Sequence, residues 1–192
     1  MTAGQIVYSP SGERIVLGEI GQTVLLDNPR VRVWEVVLAP GEVQPWHLHH
    51  NPYLVLNLAS SPCHMDWLNG DPPRYLEETP GGVLFRPTSP VHMLTNDGEK
   101  TYRNRIVELK DLGEEAVGDL VTGRPGTPLA GLPIVFSSDE VRVHAVADEQ
   151  LELPSDRAFV LITLPDGEVS YRPEKITGAG RLIELTYLGE RR

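Results

Sequence analysis

Seventeen prolines and eighteen glycines punctuate this 192-residue chain at short intervals. An interior proline removes a helical hydrogen bond and clashes with the preceding turn, so little room is left for a helix of ten residues. Between the breaks lie short runs with the two-residue period of half-buried strands. Val31-Arg32-Val33-Trp34-Glu35-Val36-Val37-Leu38 starts after Asp27-Asn28-Pro29 and stops at the turn pair Pro40-Gly41. Tyr53 to Leu58 is a near-continuous apolar run, and Cys63-His64-Met65-Asp66-Trp67 alternates with Cys63, Met65 and Trp67 on its apolar side. Further strands are expected over 14–17, 23–26, 74–78, 83–87, 91–95 and 101–110. Many short strands at regular spacing predict an all-β antiparallel sandwich or barrel.

From Asp111 to Pro133 glycine, proline and threonine accumulate, which reads as a connector with one helical turn near Glu114 to Ala116. Beyond it the first half recurs. Val31-Arg32-Val33 is echoed by Val141-Arg142-Val143, and Phe85-Arg86-Pro87 by Tyr171-Arg172-Pro173. The ten residues from Arg105 to Glu114 are echoed by Arg181 to Glu190 with six identities. Echoes in the same order at shrinking separation mark an internal duplication whose second copy has lost loops. The expected organisation is a module over 1–112, a linker over 113–133 and a degenerate second half over 134–192 packing on the first. Arg86/Arg172 and Glu108/Glu184 persist in both copies and read as architectural.

Three of the six histidines fall within Pro45-Trp46-His47-Leu48-His49-His50-Asn51-Pro52-Tyr53. On an extended backbone His47 and His49 share a face and His50 points away. Two imidazoles on one face can converge on a metal ion if the strand bends. On these residues alone, exposed polar side chains on a strand are the favoured reading, and the company the motif keeps shifts the balance. The second copy carries Pro154-Ser155-Asp156-Arg157-Ala158-Phe159 at the matching place, so it has no site of this type.

Bulk composition excludes several classes of function. Lys+Arg 17 against Asp+Glu 27 gives a net charge of -10 without a basic stripe, unsuited to nucleic acid or an anionic membrane. Cys63 is the single cysteine, so no internal disulfide forms. The start lacks a signal-peptide layout and no apolar run reaches membrane-spanning length, so a cytoplasmic protein is expected.

Pro40-Gly41 followed by Pro45-Trp46-His47-Leu48-His49, then Gly82-Val83-Leu84-Phe85-Arg86-Pro87 leading to His92 and Asn96, resembles the two motifs of the cupin superfamily. The resemblance covers roughly Val31 to Lys110. It implies a double-stranded β-helix, a jelly-roll-like barrel with a metal inside its mouth, followed here by a partial, decayed second β module. Carried over by position, His47, His49 and His92 would be metal ligands and Asn96 a turn residue. The family's glutamate should fall about four residues after the second histidine, but Tyr53 stands there, and no Asp or Glu lies between Glu42 and Asp66. The chain thus looks like the three-histidine version of the fold, known from thiol and β-diketone dioxygenases.

Imidazole suits iron, zinc, nickel and copper alike. Three neutral ligands leave the full charge on a divalent ion, which favours an anionic, chelating small-molecule substrate such as an enolate, a hydroxycarboxylate or a thiolate. The leading expectation is a cupin dioxygenase with one divalent ion, ferrous iron first, with zinc, nickel or manganese as alternatives. A lyase or isomerase working without dioxygen and a non-catalytic small-ligand binding module are the competing readings. Tyr53 is the candidate acid/base or additional ligand, with a barrel-filling aromatic as the other reading. His64 reads as solvent-facing, His50 as a fallback ligand, Trp46 as lining the mouth or packing beside the histidine strand, and Cys63 as a small buried residue. His144 is given no role. A homodimer is compatible with the second half serving as an interaction face.

Overall fold

The computed structural model describes residues 3–110, 129, 131–147, 150–155 and 157–186. Every regular element among them is a β-strand. The chain divides into two compact units, Met1–Glu114 and Glu115–Arg192. The helical turn expected near Glu114 to Ala116, and nearly all of the 113–133 connector, lie outside the described residues.

In the first unit β1 (Ile6–Tyr8) and β2 (Arg14–Val16) form a hairpin. A five-stranded sheet follows the order β3 (Thr23–Asp27), β4 (Val31–Leu38), β11 (Tyr102–Leu109), β6 (Tyr53–Ala59), β9 (Val83–Arg86). A four-stranded sheet follows the order β5 (Val43–His47), β10 (His92–Asn96), β7 (Cys63–Trp67), β8 (Arg74–Leu76). Every pairing is antiparallel. From β4 to β7, and again from β8 to β11, successive strands alternate between the two sheets. This interleaving is the double-stranded β-helix, here as two sheets that are not closed. Within the first unit the sequence reading missed β1, a three-residue strand with exposed ends.

The alternation that predicted β4 is the alternation that fills the interior. Trp34, Val36 and Leu38 are buried with Tyr53, Met65, Leu94 and Ile106 in one apolar cluster. Burying each such side chain contributes about 1.5–3 kcal/mol. At the end of β4, the Glu42 amide donates to the Ala39 carbonyl at 2.9 Å across Pro40-Gly41. Gly41 has a φ of +77°, which a residue with a Cβ adopts only at a cost. Asn96, fully buried, ties the far end of β10 to β4. Its Nδ2 donates to the Leu38 and Lys100 carbonyls at 2.9 and 2.8 Å, and its Oδ1 accepts from the Gly98 amide at 3.1 Å. It is a turn residue, as the resemblance implies.

The second unit repeats the larger sheet strand for strand. Its order is β12 (Ile134–Ser137), β13 (Val141–Val146), β18 (Gly180–Leu185), β15 (Phe159–Thr163), β16 (Val169–Tyr171). A separate pair, β14 (Leu151–Glu152) with β17 (Lys175–Ile176), stands where β5 and β10 stand in the first unit. Register carries the echo to single residues. Arg142 faces Glu184 as Arg32 faces Glu108, and Phe159 faces Glu184 as Tyr53 faces Glu108. Counting back from Phe159 as from Tyr53 puts Leu153 and Ser155 at the places of His47 and His49. The hairpin of β7 and β8 has no counterpart, because only a short turn links β15 to β16. In this unit the sequence reading named only the echoed segments and not β12, β14, β15 or β17.

Candidate metal centre

His47 closes β5 and His92 opens β10, and the two are direct cross-strand partners. His49 lies just past the end of β5, so its ring turns inward from a loop and not from a continuous strand. Ring centroids are 4.4 Å apart for His47 and His92, 5.1 Å for His47 and His49, and 5.3 Å for His49 and His92. One ligand nitrogen from each lies within 4.8 Å of the others. All three rings are buried.

The sequence sets the tautomers. Pro45-Trp46-His47 and Pro90-Val91-His92 share a Pro-X-His spacing, and each histidine Nδ1 sits on the proline carbonyl, at 2.7 and 2.9 Å. A carbonyl only accepts, so Nδ1 carries the proton and Nε2 presents its lone pair, the arrangement that orients metal-binding histidines. Nδ1 of His49 is buried without a hydrogen-bond partner. Burial is the main cause that lowers all three imidazole pKa values, His47 to about 3 and His49 well below its ordinary value. Neighbouring rings lower His47 and His49 further, and Arg86 lowers His92. Three neutral imidazoles with lone pairs held together in an apolar setting are a donor set that fits one divalent transition-metal ion.

The interleaved strand order of the first unit is that of a double-stranded β-helix. No protein-family model matches the chain, and no curated protein matches it. Among solved structures, the chain is similar to a cupin domain from Bordetella pertussis Tohama I at 23% identity, over 57% of this chain and 98% of that one, with a TM-score of 0.43. It is similar to an RmlC-like cupin with a double-stranded β-helix fold from Methanocaldococcus jannaschii at 16% identity, over 57% and 92% of the chains, with a TM-score of 0.38. It is also similar to the DMSP lyase DddQ from Ruegeria pomeroyi at 24% identity, over 44% of this chain and 41% of that one, with a TM-score of 0.34.

The histidines of the first unit open onto a small pocket of about 50 Å³. Val36, Val55, Leu84, Leu94 and Ile106 form much of its wall. Tyr53 stacks on His49 with centroids 3.7 Å apart and planes 14° from parallel. Its hydroxyl lies 3.4 Å from Ser89 Oγ, a long contact, and burial pushes its pKa up. The phenol therefore keeps its proton near neutral pH.

Other sequence candidates fall elsewhere. His50 points away from the three histidines into a second pocket with Trp34 and Glu108. Trp46 does not line the histidine pocket; the indole beside the site is Trp67, 5.5 Å from His92. Cys63 is buried, and burial pushes its thiol up to about 12, so it is no nucleophile. Two lining residues escaped the sequence reading. Arg86, read as architectural because Arg172 repeats it, faces Tyr53 from β9 and lines the pocket. Glu78 supplies a carboxylate to the same pocket from beyond β8, although no acidic residue follows the His-X-His motif before Asp66. The Pro-X-His repeat was the available signal for His92.

His64 lies on the outer side of β7, as expected, but it is not merely solvated. Its Nδ1 is 2.6 Å from Asp97 and its Nε2 3.2 Å from Asp66. The hydrogen bond to Asp97 is the main cause raising its pKa. A raised pKa means that the pair stabilises the fold fully below the unfolded histidine value, about 6.5, and ceases to do so as pH rises through the folded value. The pair is partly exposed, so the effect is at most about 1 kcal/mol. Thermal melts of wild type and His64→Gln should differ most near pH 5 and converge above pH 8; a constant difference across that range would refute the assignment.

Proposed function

We propose that this protein is a metal-dependent enzyme acting on a small organic anion, with oxygen-dependent oxidation of that anion as the leading reaction. The observation that carries the reading is the meeting of three neutral imidazoles and the Arg86 side chain around one apolar-walled pocket. His47, His49 and His92 would hold the ion through lone pairs that burial keeps unprotonated. Bound ferrous iron would supply Lewis acidity and a redox partner for dioxygen, its charge undiminished by neutral ligands. Arg86 would hold the substrate's carboxylate or oxyanion as a two-pronged donor. Tyr53, protonated and stacked on His49, would donate to negative charge developing on a substrate oxygen. The aliphatic wall would exclude water and strengthen both contacts.

The same Tyr53 supports a second reading, elimination or isomerisation without dioxygen, in which the phenol and phenolate would serve in turn as the acid and base that exchange a proton with the substrate. A panel of enolisable diketones, 2-hydroxy acids and small thiols separates the readings. Uptake of dioxygen that requires added ferrous iron, reduced roughly 10- to 100-fold in kcat/KM by Arg86→Met, is the expected result. Product formed equally under argon would replace the leading reading by the second. Binding without turnover in either condition would leave a small-ligand binding module.

A further inference from the structure

The end of the pocket away from the histidines is built from a second set of polar groups with a fixed direction. Burial, with Glu78 alongside, raises the Tyr102 pKa, so the phenol keeps its proton and donates to Glu78 Oε2 at 2.7 Å. Its oxygen then accepts from Asn104 Nδ2 at 2.9 Å. Asn57, the cross-strand partner of Asn104, donates its own Nδ2 to the same Glu78 oxygen at 3.2 Å. Neither amide can be turned over, because each would then point an oxygen at an acceptor. Both amides have therefore used their N–H side and are left with a carbonyl oxygen to satisfy. Asn57 and Asn104 are only 1% and 2% exposed, and Oδ1 of each is buried with no hydrogen-bond partner. Such acceptors are costly unless something donates to them.

The donor that suits this cluster carries positive charge. Asn104, Tyr102 and Glu78 line the pocket, and with the Tyr102 proton and both amide N–H groups spent inside the cluster they present acceptors only. At the other end the same pocket offers Arg86 and the histidines. Tyr53 at one end and Asn57 at the other stand on β6 with about 13 Å of strand between their Cα atoms. We propose that the far end of the pocket is an ammonium subsite, and that the substrate is a short zwitterion whose anionic group and ammonium group are several bonds apart. The anion end rests on the function proposed above; the ammonium end rests on Glu78 and Asn104, with Asn57 holding the Glu78 carboxylate.

The probes are 6-aminohexanoate and hexanoate, identical but for the ammonium, titrated calorimetrically into zinc-loaded and metal-free protein. Homologues from 4-aminobutanoate to 8-aminooctanoate scan the span. Zinc-loaded wild type should bind the best amino acid roughly 10- to 100-fold more tightly than its ammonium-free counterpart, the range of a charge-assisted hydrogen bond in a dry site. Glu78→Gln keeps size and can still accept from Tyr102 and Asn57, so it should retain hexanoate binding and lose that preference. Asn104→Ala should weaken the preference in the same direction. Equal affinity for both probe classes in wild type, or a preference intact in Glu78→Gln, would overturn the subsite. If hexanoate binds and the amino acids bind no better, the ammonium subsite falls and the proposed function stands; if no probe binds in any form, both fall.

Discussion

Replacing His92 with alanine is expected to reduce the bound metal of untagged protein from about one ion per chain to a small residue. Two imidazoles remain, one of them on a loop, and a divalent ion held by two neutral ligands and water is bound far more weakly than one held by three. Losing only an outer-shell partner typically costs 10–100-fold in affinity, so losing a ligand should exceed about 100-fold. Elemental analysis of wild type, His92→Ala and His64→Ala measures it directly. The His64 variant should keep its metal, since that ring faces Asp66 and Asp97 outside the pocket. A chelator should lower the melting temperature of wild type, by linkage to ion binding, and leave that of His92→Ala unchanged. Equal metal content in wild type and His92→Ala would remove this histidine from the site and, with it, the three-ligand arrangement.

The second large effect is expected far from the metal. In the second unit Glu184 is 3% exposed and takes both arginines nearby. Its Oε1 accepts from Arg157, through Nε at 2.8 Å and through Nη2, while its Oε2 accepts from Arg142 Nη1 at 3.2 Å. His144, fully buried, places Nε2 3.5 Å from the same oxygen, long for a hydrogen bond. Burial alone would raise the Glu184 pKa; His144, Arg157 and Arg142 outweigh it and hold the carboxyl below its ordinary value. Glu184→Ala removes the buried carboxylate that Arg142 and Arg157 share, and breaking a buried pair from one side costs about 3–5 kcal/mol. A β module lacking one hairpin has little stability to spare, so denaturant melts should show that unit unfolding first. Replacing Arg142 and Glu184 together by methionine and leucine should recover the part of the loss that belongs to the Arg142 pair, because apolar groups of similar volume need no counter-charge. A Glu184→Ala melt within about 1 kcal/mol of wild type would show that the cluster is not a structural anchor.

The two copies explain why these effects separate. Glu108 and Glu184 hold the same register position, yet one accepts from the Trp34 indole at 2.7 Å and the other from two arginines. The carboxylate was kept as a buried acceptor at one point of the five-stranded sheet while its donors diverged. Phe159 keeps the ring of Tyr53 without the hydroxyl, and Leu153 and Ser155 replace the imidazoles. The second unit thus retains the scaffold of the first without its donor atoms.

Much of the first unit was legible in residue order. The alternation from Val31 to Leu38, the Pro40-Gly41 turn and the segment from Cys63 to Trp67 each read out within a few residues, because side-chain period and turn conformation are local properties of the backbone. Duplication was legible for the same reason, as repeated strings. His92 was reached through the motif resemblance, and the Pro-X-His spacing it shares with His47 becomes meaningful once both proline carbonyls are seen to hold an Nδ1 proton.

What residue order alone determined is an all-β chain, its strand segments, its repeat and a histidine pair capable of meeting on one side. Which groups share that space was decided only by tertiary register. Arg86 faces Tyr53, Asn57 faces Asn104 and Glu78 reaches Tyr102 because strands distant in sequence pair with particular offsets. A shift of one residue would send every one of those side chains to the opposite face of its sheet. Pairing offsets depend on the packing of the whole sandwich, and no short stretch of sequence contains them.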